Sequence, residues 1–179
     1  MNNTQYFFKS DRLGFRSWKD TDVPLFAALN ADPIVMEYFP APLQYPETEK
    51  FVERINAHFD EYGYGLYAVD SIADNAFIGF IGLSHPRFKS PFTPCVEIGW
   101  RLAKEYWNKG YATEGADACL DYGFNTLKVG EILSFTAVQN VRSENVMKKI
   151  GMQKIGEFDH PALPGSWLER HVLYKKTVG

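Results

Sequence analysis

The stretch "EYWNKGYATEGADACLDYGF", residues 105–124, decides the fold, because it sets Trp107, Lys109 and Gly110 before a helix made of glycine, alanine and cysteine. At a period of 3.6, Ala112, Gly115, Ala116, Cys119 and Gly123 share one face while Asp117, Asp121 and Asn125 share the other. A helix needing only an apolar face would use leucine and isoleucine. Small residues instead let the helix backbone press closely onto a sheet. The helix start, residues 108–113, offers unpaired N–H groups and the positive end of the helix dipole. No proline lies between Pro94 and Pro161, so every amide there can donate, and Lys109 adds a point charge. Two readings stay open at this turn: an anion site, or a tight strand-to-helix connection in which Gly110 answers only to backbone geometry. The glycine spacing fits neither the Walker loop nor the three-glycine dinucleotide turn, so ATP and NAD are not expected here.

Working outward, "VEIGWRL" before this helix and "EILSFTAV" after it read as strands, which predicts a crossover unit with two parallel neighbours. Upstream, "RLGFRSW" reads as a strand and residues 20–30 as a helix with Asp20 or Thr21 as N-cap. "MEYFPAPLQYPE" is a proline-broken loop, and Phe51, Ile55 and Phe59 mark a second amphipathic helix. "YGLYAVDS", "AFIGFIGLSH" and "VEIGWRL" read as three sequential antiparallel strands. Downstream, residues 141–150 are helical, and closing strands cover roughly residues 152–158 and 167–175. No repeat or linker divides the 179 residues, which predicts one domain over 1–179.

Composition excludes several classes. A net charge of −3 without basic clusters argues against nucleic acid as a partner. The start "MNNTQYFFKS" lacks an apolar secretory core and no run approaches a bilayer span, so neither membrane nor export is expected and the cytoplasm is the predicted location. Cys95 and Cys119 read as reduced thiols, mostly buried. His160 and His171 lack metal-ligand spacing, so no metal is predicted. His58 falls on the polar side of its helix and is expected in solvent. His85 before Pro86 either lines a pocket mouth or has no role.

"AVQNVRSENVMKKIGM", residues 137–152, is the second constellation. Asn140 suits an N-cap, Lys148 and Lys149 the last turn, and Gly151 the C-terminal cap. Ser143 and Asn145 add further polar groups to the first turn, which capping with solvation or a ligand-facing edge would each explain.

In order and spacing these segments resemble the GNAT superfamily of acyl-CoA-dependent N-acetyltransferases, in particular its Rim-type branch, which includes ribosomal-protein N-terminal acetyltransferases. The resemblance runs from "DRLGFRSW" through "VEIGWRLAKEYWNKGYATEGADACLDYGF" and "NVRSENVMKKIGM" to "HVLYKK". It implies an α/β fold: a mixed, mostly antiparallel sheet of about seven strands, splayed at its two central parallel strands and flanked by about four helices. It also implies that acetyl-CoA enters the splay. Pantetheine would follow the strand carrying Ile98, Trp100 and Leu102, and the pyrophosphate would sit on the amides of Asn108, Lys109, Gly110, Tyr111, Ala112 and Thr113. Asn140, Ser143 and Asn145 match the pattern on the thioester and pantetheine side. The chain departs from the wider superfamily at Trp107, where an Arg or Gln is usual and which the Rim-type branch shares. It departs again at Met147, where many members carry a tyrosine as general acid. Ser143, one turn earlier, is the substitute donor expected.

Acetyl transfer to an amine needs a neutral nitrogen, whose pKa lies near 10 for an alkylamine, and stabilisation of a developing oxyanion. Glu97 interrupts an apolar strand beside the implied thioester and is the expected base; a lean toward Arg101 on the same strand face, or a solvated sheet face, is the structural alternative. Tyr38, Phe39 and Tyr45 either roof the acceptor or pack the loop. The leading function is transfer of an acetyl group from acetyl-CoA to a primary amine, either a protein N-terminus or a small molecule such as a polyamine or an amino sugar of an antibiotic, by direct attack on the thioester. A non-catalytic CoA-binding sensor or regulatory module is the alternative, and a homodimer is left open.

Overall fold

The computed structural model describes residues 6–178; residues 1–5, the start of the segment read above as lacking a secretory core, lie outside the described residues, as does residue 179. The elements are β1 (Phe8–Lys9), β2 (Leu13–Arg16), α1 (Asp22–Ala31), α2 (Tyr45–Tyr62), β3 (Leu66–Ser71), β4 (Ala76–Ser84) and β5 (Glu97–Leu102), then α3 (Tyr111–Asn125), β6 (Glu131–Ala137), α4 (Val141–Lys149), β7 (Gln153–Asp159) and β8 (Arg170–Thr177). A short 3-10 turn at Lys104–Tyr106 links β5 to α3. The strands form one sheet of eight, in line with the about seven expected, in the order β1-β2-β3-β4-β5-β6-β8-β7. The extra strand is the two-residue β1, which pairs with β2 through Phe8 and Phe15 and is too short to show a period.

All neighbours are antiparallel except β5 and β6, the crossover expected around α3. These two share a single register pair, Glu97 with Leu133. Leu133 N–H donates to the Val96 carbonyl at 2.9 Å and the Ser134 hydroxyl to the Ile98 carbonyl at 2.9 Å. Beyond them pairing ends, so the strands open into a V with Glu97 at its apex.

Helices cover both faces. Cys119, Ala116 and Leu120 of α3 and Met147 of α4 bury against Leu13, Tyr67, Ile81, Ile98 and Ile132. Phe26 of α1 and Val52 and Ile55 of α2 bury against Ala68 and Phe80 on the other side. The small face of α3 is required by this packing: a Cβ on Gly115 would collide with Ile81 and lie 3.0 Å from Leu13 Cδ1, and one on Gly123 would lie 2.9 Å from Ile132 Cδ1. Its outer residues Asp117, Asp121 and Asn125 are exposed as expected.

Helix α1 starts two residues later than the sequence suggests. Thr21 is its N-cap, but its backbone is helical (φ −67°, ψ −16°) and its side chain makes no cap; Asp22 accepts from the Lys19 N–H at 2.8 Å. Asp22 is also half of a buried charge cluster. Arg16 donates to Asp22 from Nη1 at 2.6 Å and Nη2 at 2.9 Å, and to Asp70 from Nε at 2.7 Å and Nη2 at 2.6 Å. All three side chains are buried, and the carboxylates hold the guanidinium even more firmly protonated than usual. Removing one partner of such a group strands the others without compensation. Arg16→Met should therefore cost roughly 3–5 kcal/mol in urea unfolding. The exposed pair of Arg142 and Glu37 should cost under about 1 kcal/mol when broken by Arg142→Ala.

Candidate active site

Three parts converge on the V: the turn before α3, the start of α4, and the β5 face carrying Glu97 and Arg101. At the first, Asn108 has φ 58° and Gly110 φ 81°, left-handed conformations that asparagine and glycine tolerate best. The expected residues Asn108, Lys109, Gly110, Tyr111, Ala112 and Thr113 thus form one tight entry to α3. Among the described residues, the amides of Tyr111, Ala112 and Thr113 have no protein acceptor; the first intrahelical bond runs from Glu114 N–H to the Gly110 carbonyl at 3.0 Å. This fits an anion.

Arg12, which the sequence did not single out, shapes the same turn. Its Nη1 donates to the Lys109 carbonyl at 2.9 Å, its Nε to Glu114 Oε2 at 2.6 Å, and its Cζ lies 4.4 Å from the Tyr111 ring centroid. A Cβ at Gly110 would sit 3.3 Å from Arg12 Nη2. Glu114 also accepts from the Ser10 hydroxyl at 2.6 Å, so the loop before β2 is latched to the helix start. The signal was present as Arg12 and Glu114, but 102 residues separate them.

At the second part, Asn140 is committed to structure. Its Oδ1 accepts from Ser143 N–H at 3.2 Å and its Nδ2 donates to Thr136 Oγ1 at 3.0 Å. Gly151, at φ 76°, closes α4 as the sequence indicates, with Met152 N–H donating to the Met147 carbonyl at 3.0 Å. Ser143 is half-buried, Asn145 is exposed, and the Ser143 hydroxyl engages no described residue. Met147 is buried in the core. Arg142 bridges the two arms: it donates to Glu37 at 2.7 Å while its Cζ lies 4.5 Å from the Trp107 ring centroid and 5.6 Å from that of Tyr38.

On β5 the alternation separates two sets. Ile98 and Leu102 bury toward α3, with Trp100 partly buried beside them, so the arm offers a ligand its backbone and the Trp100 edge. Glu97 and Arg101 face α1 and α2. They do not pair. Arg101, 8 % exposed, donates from Nη1 to Asn30 Oδ1 at 2.7 Å, and its Cζ lies 4.0 Å from the Phe39 ring centroid; Nε has no partner. Burial without a carboxylate pushes Arg101 down to about 9. Glu97 makes no ion pair or hydrogen bond among the described residues. It is half-buried, yet protein crowds its carboxyl closely enough that desolvation alone pushes it up to about 8.

Of the loop aromatics, Phe39 covers Arg101, Tyr38 packs 6.1 Å from Trp167, and Tyr45 is exposed at the start of α2. His58 is not in solvent. It is half-buried, with Nδ1 donating to the Tyr64 carbonyl at 2.8 Å and Nε2 3.2 Å from His85 Nδ1. The helical period missed this because the chain turns back at Gly63 and brings β3 and the end of β4 against that face. His85 does line a cavity, of about 190 Å³, with Phe51, Arg54, His58, Ser84 and Arg87. Cys119 is buried and Cys95 half-buried, both free thiols, and burial raises both.

Residues 12–153 match the family model of the acetyltransferase (GNAT) domain. The chain belongs to the GNAT acetyltransferases. A relative in Bacillus subtilis, YkkB, is 33% identical over 80% of this chain and 83% of its own length. The crystal structure of a GNAT-family acetyltransferase from Bacillus anthracis superposes with a TM-score of 0.78 at 30% identity, over 94% of this chain and 96% of that one. Spermidine N-acetyltransferase from Vibrio cholerae, solved with CoA and spermine, shares the fold at TM-score 0.74 and 20% identity, over 93% of this chain and 95% of that one. The open eight-stranded sheet with its splayed parallel pair is the GNAT fold, and acetyl-CoA is the donor that family uses.

The raised Glu97 pKa fixes a pH dependence. Below the unfolded-state pKa, about 4.3, the group is neutral in both states. Between there and about 8 the folded state binds the extra proton, so stability falls as pH rises and levels off above about 8. Glu97→Gln removes that dependence. Urea unfolding at pH 5 and pH 8 should show the variant gaining stability relative to the parent at the higher pH; a constant difference would mean that the carboxyl titrates normally.

Proposed function

We propose that residues 1–179 form one domain that transfers an acetyl group from acetyl-CoA to a primary amine, a small molecule or a protein N-terminus, in the cytoplasm. Glu97 carries the reading. A carboxyl at the apex of the V, with no partner among the described residues and an affinity for protons raised to about 8, can take a proton from an acceptor ammonium near neutral pH. A structural carboxylate would be paired and depressed, as Glu114 is by Ser10 and Arg12 despite its partial burial. Trp107 and the pattern around it support the Rim-type branch within the family.

The remaining roles follow from what each group has free. The amides at Tyr111, Ala112 and Thr113, with Asn108, Lys109 and Gly110 shaping the turn, suit the pyrophosphate of CoA. The β5 arm at Ile98, Trp100 and Leu102 suits the pantetheine, and Asn145 lies exposed on the α4 side. Bound acetyl-CoA supplies the activated acyl group. Ser143, whose hydroxyl is free, holds the proton needed by the leaving sulfur, since Met147 cannot. Asn140 contributes by fixing the first turn of α4 that presents Ser143.

Glu97→Gln keeps the shape and should lower kcat by about 10²-fold or more at pH 7, within the range of general-base catalysis. Acetyl-CoA affinity should change little. Raising the pH should partly restore the variant, because more acceptor is then already neutral. Release of free thiol against an amine panel gives the profile; wild-type kcat in the variant would assign the base to another group, and no thiol release from the parent with any amine would favour the CoA-binding module.

Gly110→Asp tests the turn. It places a negative charge at the free amides and a side chain at a left-handed φ beside Arg12. Calorimetry on the folded variant should show CoA binding weakened at least tenfold, and unchanged affinity would remove the pyrophosphate from this turn.

A further inference from the structure

The cavity between α2 and the end of β4 carries a chemistry that the transfer reaction does not by itself require. Its lining is Phe51, Arg54, Ile55, His58, Leu66, Ser84, His85 and Arg87, without a single carboxylate. Ser84 stands in sheet register with Glu97, which puts their Cα atoms about 5 Å apart on one sheet face. The cavity therefore adjoins the apex where the acceptor nitrogen would lose its proton.

The histidines are already spent on each other. His58 Nδ1–H donates to the Tyr64 carbonyl, which leaves Nε2 as an acceptor for His85 Nδ1–H and for the His85 backbone N–H, both at 3.2 Å. The remaining His85 nitrogen lies 3.5 Å from the Tyr64 hydroxyl. Burial pushes both imidazoles below their ordinary pKa, so neither adds charge at neutral pH. What the cavity retains for a ligand is the Ser84 hydroxyl and two guanidinium groups. Neither Arg54 nor Arg87 makes an ion pair among the described residues. Glu61 acts electrostatically on His58 and His85 but does not line the cavity.

Arg54 is packed against an aromatic ring. Arg54 Cζ lies 5.4 Å from the Phe51 ring centroid, and the buried Arg101 lies 5.5 Å from the same ring. Two guanidinium groups thus lie near one aromatic ring, and neither makes an ion pair among the described residues. A polyamine would bring a second ammonium against this field, and like charges in contact are strongly disfavoured. A carboxylate or phosphate would complete it, because the planar guanidinium fork matches both geometries.

We propose that the acceptor is a small primary amine that also carries an anionic group, a carboxylate or a phosphate, held by Arg54 and Arg87. The proposal rests on the transferase reading for the position of the nitrogen, but the anion site is a property of the cavity alone.

The experiment compares amino acids with their carboxamides, an amino sugar with its phosphate ester, and spermidine, scored by kcat/KM from thiol release and by calorimetric binding of the same compounds. The anionic member of a pair should be preferred at least tenfold, as expected for a charge-assisted hydrogen bond. Arg54→Gln and Arg87→Gln should each pull that ratio toward one, and the lysine variants should retain part of it. Both positions are exposed, so folding is checked simply by thermal unfolding. Which pair shows the preference separates carboxylate from phosphate. Spermidine as the best acceptor, equal use of both members of every pair, or a preference that survives both glutamine variants would overturn the proposal. Absent thiol release, calorimetry still decides: tighter binding of the anionic member, lost in the arginine variants, keeps the anion site while the transferase reading falls, and equal binding overturns the site.

Discussion

The close seat of α3 on the sheet is the constraint from which the rest follows. Gly115 and Gly123 leave no space for a Cβ against Ile81 and Ile132, and Ala116 and Cys119 are fully buried between them. A helix held this near brings its N-terminus to the end of β5. Its unpaired amides then lie on the same side of the sheet as the opening between β5 and β6. Leucine at either glycine would hold the helix off by the depth of a side chain, and the turn at Gly110 would lose its relation to the V.

Charge is handled in two contrasting ways. Near β2 the protein buries Arg16 with two carboxylates and satisfies its donors completely, so the cluster fixes α1 against β3. On β5 it buries Arg101 with only an amide oxygen and four surrounding rings, and leaves Glu97 with no partner among the described residues. Desolvation without compensation shifts both groups toward neutrality, Arg101 down and Glu97 up. Compensated charge builds the scaffold, and uncompensated charge collects on the face that α1 and α2 cover.

The loop between those helices ties the open side together. Phe39 lies on Arg101, while Tyr38 and Glu37 meet Arg142 from α4, and Arg142 reaches Trp107 at the turn before α3. The two arms of the V, which share one register pair, are thus joined again across their open end by side chains. Trp107 is anchored in turn by its indole N–H to the Leu102 carbonyl at 2.8 Å.

The sequence by itself determined the order of elements, the crossover around α3, the small face of that helix, the caps of α4 and the location of Glu97 in an apolar strand. These are local facts: a period, a glycine, a proline-free run, a charge among β-branched and aromatic neighbours. It could not show the two-residue β1, which is too short to carry a period, or that the Thr21 side chain makes no cap. The tertiary structure alone decided that Glu97 and Arg101 stand apart on one strand face, and that Arg12 and Arg142 meet the turn before α3 and the start of α4. It also turned His58 from a solvent-facing helix position into a partner of His85. The contacts of Arg101, Arg12, Arg142 and His58 depend on groups 27 to 105 residues apart meeting in space, and on whether burial removes water from a charge before another charge replaces it.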